Sequence, residues 1–199
     1  VGEVMAIGRT FPEALQKACQ SLENNAIGLE SISRSQMRPE ELLEYLKRPT
    51  WDRIFRIKEA LKMGVSIKSL RGLTQIDRWF LYQIQDIVKL EDKIKEFKHL
   101  ENIPESILWD AKKMGFSDEQ IAELVKDCTP DEVFNRRKEL GIIRVYKMVD
   151  TCSAEFEAKT PYFYSTFEEV ASGDIMHNES VRTDKKKVIV IGSGPNRIG

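Results

Sequence analysis

The chain has 199 residues, a length that suits one complete domain with short edges. Its apolar share of 41% supports a packed core, while 32% charged residues at a net charge of −1 argue against a dedicated nucleic-acid or membrane-surface module, which carries a basic excess. No run of about 18 apolar residues is present to span a bilayer, no secretory leader is visible, and Cys19, Cys128 and Cys152 lie too far apart, with only His99 and His177 beside them, for a zinc site. Three reduced thiols in a cytoplasmic protein are expected.

Val1 to Gly8 reads as the closing strand of a sheet. Thr10-Phe11-Pro12-Glu13 is a capping box that opens a helix over residues 10–23, with Phe11, Leu15, Ala18 and Leu22 on one stripe. Residues 24–38 carry no period and are expected to connect two units. Pro39 starts a short helix through Leu42, Leu43 and Leu46, ended before Pro49. Thr50 is expected to cap the next, where Trp51, Ile54, Phe55, Lys58 and Leu61 share a face and Gly64 terminates it. A further short helix is expected over residues 66–70.

The longest element spans residues 75–97. Ile76, Phe80, Ile84, Ile87, Leu90, Ile94 and Phe97 recur at helical steps, forming a stripe about 30 Å long. Trp79, Leu81, Tyr82 and Val88 widen that stripe over the first half, a width that implies burial on more than one side, by other helices or another subunit. Glu91, Asp92, Lys93, Lys95 and Glu96 make the second half polar elsewhere. Three shorter helices follow over residues 104–113, 117–126 and 130–139. Ser117-Asp118-Glu119-Gln120 and Thr129-Pro130-Asp131-Glu132 are capping boxes, with Gly115 and Gly141 at helix ends.

Beyond Gly141 the texture changes. Pro161-Tyr162-Phe163-Tyr164-Ser165-Thr166 favours extended structure, residues 174–187 read as a surface loop, and Val188-Ile189-Val190-Ile191 reads as one buried parallel strand. The glycine-rich turn Gly192-Ser193-Gly194-Pro195-Asn196-Arg197-Ile198-Gly199 follows, without the helix such a turn normally opens. Both ends therefore read as edges of a larger α/β protein. The expected fold is mainly α, a multi-helix domain of orthogonal-bundle type with truncated α/β edges at both termini.

Candidate sites are few. Residues 114–140 resemble a helix-turn-helix whose second helix carries Arg136, Arg137 and Lys138. A recognition helix presents its N-terminal end to the groove, and here that end holds Asp131 and Glu132. From residue 117 to 141 acids outnumber bases by seven to four, which would repel a polyanion, so a packed helical pair is expected. Tyr162, Phe163, Tyr164 and Phe167 could stack on bases, but the flanking Glu155, Glu157, Glu168 and Glu169 favour a wedge between domains. Cys152 has no histidine nearby in sequence to activate it, and Glu155 and Glu157 point to opposite faces if extended. No catalytic residue and no metal ligand is therefore assigned. In the terminal loop Gly192 and Gly194 would let backbone amides approach an anion, with Asn196 and Arg197 beside them. As a dinucleotide fingerprint it is poor, since Arg197 stands where the third glycine belongs.

Four segments carry a family resemblance, in order along the chain. Glu3-Val4-Met5-Ala6-Ile7-Gly8-Arg9-Thr10-Phe11 resembles the end of the first ATP-grasp half of the large subunit of carbamoyl phosphate synthetase. Ile76-Asp77-Arg78-Trp79-Phe80-Leu81 resembles the signature helix of that subunit's central oligomerisation domain. Val149-Asp150-Thr151-Cys152-Ser153-Ala154-Glu155-Phe156, with Thr160-Pro161-Tyr162-Phe163-Tyr164-Ser165-Thr166, resembles the approach to the second half. The terminal glycine loop matches the opening of that half, with Ser193 in place of the commoner glycine.

The resemblance implies a division into residues 1–23 (edge of the first, carboxyphosphate half), 24–38 (connector), 39–145 (helical oligomerisation domain), 146–187 (extended linker) and 188–199 (first strand and loop of the second, carbamoyl phosphate half). It implies a parent ligase of arginine and pyrimidine biosynthesis in the cytoplasm, using two ATP, Mg or Mn, and K, with bicarbonate and glutamine-derived ammonia. The implied partner is a glutaminase small subunit, besides self-association as dimer or tetramer, with no nucleic acid and no membrane. This stretch would be a non-catalytic connector that binds no cofactor itself, with Gly192, Gly194, Asn196 and Arg197 bordering the carbamate route. Trp79, Tyr82 and Gln83 are the expected oligomer interface. A DNA-binding regulator and a fragment of a nucleotide-cofactor-binding α/β enzyme are the competing readings.

Overall fold

A computed structural model describes residues 4–22, 24–30, 37–157, 159–168, 178–181 and 183–190. Among them the chain runs through α1 (Phe11–Gln20), α2 (Pro39–Tyr45), α3 (Arg53–Lys62), α4 (Ile67–Thr74), α5 (Arg78–Lys95), a single 3-10 turn (Leu100–Asn102), α6 (Glu105–Lys113), α7 (Asp118–Val125) and α8 (Pro130–Glu139). Two short strands follow, β1 (Val145–Met148) and β2 (Phe163–Thr166), paired antiparallel with Val145 opposite Thr166 and Met148 opposite Phe163. The protein is mainly α, as the periodicity predicts.

Local chemistry sets most boundaries. Side-chain oxygens of Thr10, Ser66, Asp77, Ser117 and Thr129 each accept a backbone N–H of the first helical turn. Of the three expected capping boxes only Thr129–Glu132 closes reciprocally, the Glu132 carboxylate accepting the Thr129 N–H at 2.7 Å. At the other two a partner from elsewhere wins. Glu13 accepts from Arg9 N at 2.7 Å, and Gln120 turns inward to donate to Gln16 Oε1 at 3.0 Å. Gln75 (φ 60°) ends α4 in the left-handed region, so the long helix starts at Arg78 rather than at residue 75.

α5 is the central element, packed by α1, α3, α4 and α7. It buries Leu81, Ile84, Ile87, Val88, Leu90, Glu91 and Ile94. Each fully buried Leu or Ile contributes about 1.5–3 kcal/mol relative to an exposed one. The inward stripe thus passes through Leu81, whereas Phe80 is 42% exposed, a correction to the expected face. Trp51 likewise lies outside, 76% exposed, because α3 begins only at Arg53 and the preceding turn points it away from the core. α1 buries Pro12, Glu13, Gln16 and Cys19 instead of the expected Phe11, Leu15, Ala18 and Leu22, of which Leu15 and Leu22 pack only partly. The polar face is drawn inward by partners far along the chain: Gln16 donates to Met114 O and accepts from Leu29 N and Gln120 Nε2.

The two ends depart from expectation. Residues 4–8 form no strand, and Met5 is 62% exposed. Val188, Ile189 and Val190, expected as a buried strand, are 85–91% exposed without strand structure; among the described residues no strand pairs with them, and unpaired backbone is not held in a sheet. Ile191 and the glycine loop lie outside the described residues.

Candidate interaction surface

Asp77 caps α5, accepting Trp79 N–H at 2.8 Å, and this fixes the rotation of the first turn. With Leu81 aimed into the core, Trp79 (53% exposed) and Tyr82 (49% exposed) are directed outward, three residues apart on one face. Gln83 beside them is half-buried. Phe80 turns toward α1, where Phe11, Trp79 and Phe80 form a mutual edge-to-face trio with ring centroids 5.0–5.6 Å apart. Such pairs contribute about 0.5–1.5 kcal/mol beyond burial, so the trio is a rigid apolar feature on the surface. A shallow cavity of about 550 Å³ adjoins it between α1, α5 and α6, lined by Pro12, Gln83, Leu90 and Met114 with Asp86–Lys89 and Asp110–Lys113 ion pairs at its rim. An aromatic centre with a mixed-charge rim is the arrangement of a protein-binding face.

The described residues also hold two buried ionic groups. Lys58 donates to both Leu29 O and the Glu91 carboxylate, with both charged side chains 3% exposed, and Lys62 reaches the second Glu91 oxygen at 2.8 Å. Burial pushes the Glu91 acid up, but Lys58 and Lys62 outweigh it and hold the carboxyl below its ordinary range. Burial lowers Lys58, against the opposing pull of Glu91 and, more weakly, of Glu30. The second group joins α6, α7 and α8. Lys112 meets Asp118 at 2.7 Å and Phe116 O at 2.6 Å, and Arg137 approaches the same Asp118 carboxylate. Burial brings Lys112 down to about 8, against the opposing pull of Asp118.

The other sequence-derived candidates do not assemble. Arg137, one of three bases that would face DNA, is 5% exposed and committed to Asp118, so α8 presents no basic recognition face. Tyr162 and Phe163 are exposed, Tyr164 is half-buried and Phe167 is buried. Lys112, Arg137 and Arg144 all approach the Phe167 ring at 5.1–5.6 Å. Cys152 sits in a turn where Asp150 accepts its N–H, and His99 is engaged with Asp127 at 2.6 Å. Glu155 and Glu157 are both exposed, beyond a turn with Ser153 and Ala154 in the left-handed region. Gly192, Gly194, Asn196 and Arg197 lie outside the described residues. Among the described residues no group of three or more His, Cys, Asp or Glu side chains could hold a metal ion, and no helix is long and apolar enough to cross a membrane. The ionic cluster around Phe167 was not foreseen; its members are spread from residue 112 to 167, and a spacing argument does not connect them.

A helical domain with an exposed aromatic patch at the start of its central helix is the class these features define. The family model of the carbamoyl-phosphate synthetase large chain, oligomerisation domain, matches residues 3–141, and the chain belongs to that family. Among curated relatives, the carbamoyl phosphate synthase large chain of Archaeoglobus fulgidus is 46% identical over all of this chain and 18% of its own length. Those of Thermotoga neapolitana and a Nostoc species are 45% and 44% identical, again over all of this chain, and it covers 16% and 17% of them. The chain thus spans less than a fifth of the relatives it matches.

Proposed function

We propose that this chain is the oligomerising connector of a carbamoyl phosphate synthase large chain, and that it self-associates through the start of α5. The trio of half-buried Phe11 with exposed Trp79 and Phe80, continued by exposed Tyr82 and half-buried Gln83, carries this reading. A soluble monomer gains nothing from leaving such a surface in water, whereas a twofold-related copy would bury it. Residues 39–145 would supply the helical unit, with 24–38 as connector, 146–187 as linker, and residues 1–23 and 188–199 leading to the two synthetase halves.

The parent enzyme on this reading makes carbamoyl phosphate from bicarbonate, glutamine-derived ammonia and two ATP, with Mg or Mn and K as cofactors and a glutaminase subunit as partner, in the cytoplasm. The connector contributes position rather than chemistry, so the isolated chain is expected to turn over no ATP. Gly192, Gly194, Asn196 and Arg197 are proposed to border the carbamate route.

Sedimentation of the 199-residue chain across micromolar to near-millimolar concentration tests the self-association. A reversible dimer or tetramer weakened at least tenfold by Tyr82→Glu, a site outside the aromatic trio, is expected. A strict monomer, or an oligomer indifferent to charge at both Trp79 and Tyr82, would sink it.

A further inference from the structure

Three stretches remote in sequence meet beside α1. Lys17 on α1 donates from Nζ to Ile7 O at 2.9 Å and to the Ser165 carbonyl of β2, while pairing with the buried Glu13 at 2.7 Å. Glu168, just past β2, receives Arg9 Nε at 3.1 Å on one oxygen and Lys147 of β1 at 2.9 Å on the other. Lys147, 8% exposed, also reaches Glu179 at 3.7 Å. Glu179 then lies along the free edge of β1, accepting Met148 N–H at 2.6 Å and donating its own N–H to Tyr146 O at 2.9 Å. Exposed ion pairs are weak singly, but Glu13 and Lys147 are buried members that make this set expensive to break piecemeal.

We propose that this network is a clasp: the segment at residues 4–10 and the β1–β2 hairpin attach to α1 and release from it as one cooperative unit. Lys17 and Glu168 each hold both segments at once, so neither segment can leave without stripping partners from the other. A displacement at one end of the chain is thereby delivered to the other along the surface of α1, without disturbing the core around α5. In a larger synthetase such a device would couple the two flanking halves; that consequence rests on the proposed function, while the clasp itself does not.

Amide hydrogen exchange on the 199-residue chain tests it, using the Arg9 amide, bonded to Glu13, and the ladder amides of the hairpin as reporters. Glu168→Gln and Lys17→Met are each expected to speed exchange in both segments at least tenfold and leave the middle of α5 unchanged. Molar salt should loosen both segments together, since it screens the exposed members. Arg9→Gln alters a side chain 56% exposed and leaves the core intact, so it decides the matter even where Lys17→Met fails to fold. Faster hairpin exchange in Arg9→Gln supports the clasp. Effects confined to the mutated segment overturn it, and so does a hairpin that already exchanges freely in the parent chain. Neither outcome depends on whether the chain self-associates.

Discussion

Arg137 of α8 directs its Nε at both carboxylate oxygens of Asp118 at the start of α7, at 3.0 and 3.1 Å. Its Nη1 donates to Ile142 O at 3.1 Å, so the guanidinium also anchors the chain leaving α8. Truncation would leave Asp118 facing a single remaining cation and Ile142 O without its donor. Removing one partner of a buried ion pair costs about 3–5 kcal/mol. Arg137→Met is therefore expected to lower stability by about 3 kcal/mol in urea melts, because Lys112 still meets Asp118. Arg136→Met, on the half-exposed neighbour, should change it by less than about 1 kcal/mol.

Lys112 gives the stability a pH signature. Its side chain is 3% exposed, and burial holds its pKa in the folded protein at about 8, below the 10.5 of the free side chain. Between those values the folded protein sheds the proton first, so the unfolded chain binds more protons and stability rises with pH. The gain sets in as pH approaches 8 and is complete once pH passes 10.5. Cys19, pushed up to about 12 by burial, and Cys128, also raised by burial, act oppositely as pH passes the ordinary thiol value of 9, while Lys58, lowered by burial, acts in the same direction as Lys112. The window to read is therefore pH 8 to 9, where the Lys112 contribution is isolated by its own variant. Chemical melts there should show stability increasing by up to about 1 kcal/mol in the native sequence, with the slope flattened in Lys112→Met. A native slope of zero or below would contradict the assignment.

Helix order was legible because its signals are local. Thr10, Ser66, Ser117 and Thr129 cap within three residues of themselves, and Gly64, Gly115 and Gly141 stand at positive φ after helix ends. The excess width of the α5 stripe implied burial on more than one side, whereas within this chain Trp79 and Tyr82, which widen it, are exposed. The inward face of α1 was not legible, since apolar periodicity favours Phe11 and Leu15 while the buried Gln16 answers to Met114 and Gln120 about 100 positions away. Buried Glu91, Lys112 and Arg137 escaped for the same reason, while Lys58 was placed on the apolar face of its helix without its partner. A charged residue reads as solvated until its partner is known.

The Lys58–Glu91 pair tests how such buried charges act. Lys58→Met leaves Leu29 O without its ammonium donor, and Glu91→Leu leaves Lys58 and Lys62 without their carboxylate. Each single change should cost about 3–5 kcal/mol. The double change removes both charges from the interior and should cost less than either single change. A double-mutant cycle by urea unfolding reads the coupling directly. Additive single effects would mean that the pair is not a unit.

Gly115 and Gly64 share almost the same backbone, φ +85° and +83°, but not the same surroundings. Both pay the left-handed penalty of about 1–2 kcal/mol on gaining a Cβ. At Gly64 the added atom meets nothing within 4 Å. At Gly115 it would lie 2.9 Å from Glu13 Cα and 3.0 Å from Glu13 O, backbone atoms of α1 that cannot swing aside. Overpacking of that kind adds about 1–3 kcal/mol. Gly115→Ala should therefore lower the melting temperature well beyond Gly64→Ala. Because the clash pushes α1 off the turn after α6, it should also break the Gln16 to Met114 and Gln20 to Gly115 hydrogen bonds. Equal melting temperatures for the two variants would show that α1 is not seated against Gly115 in solution.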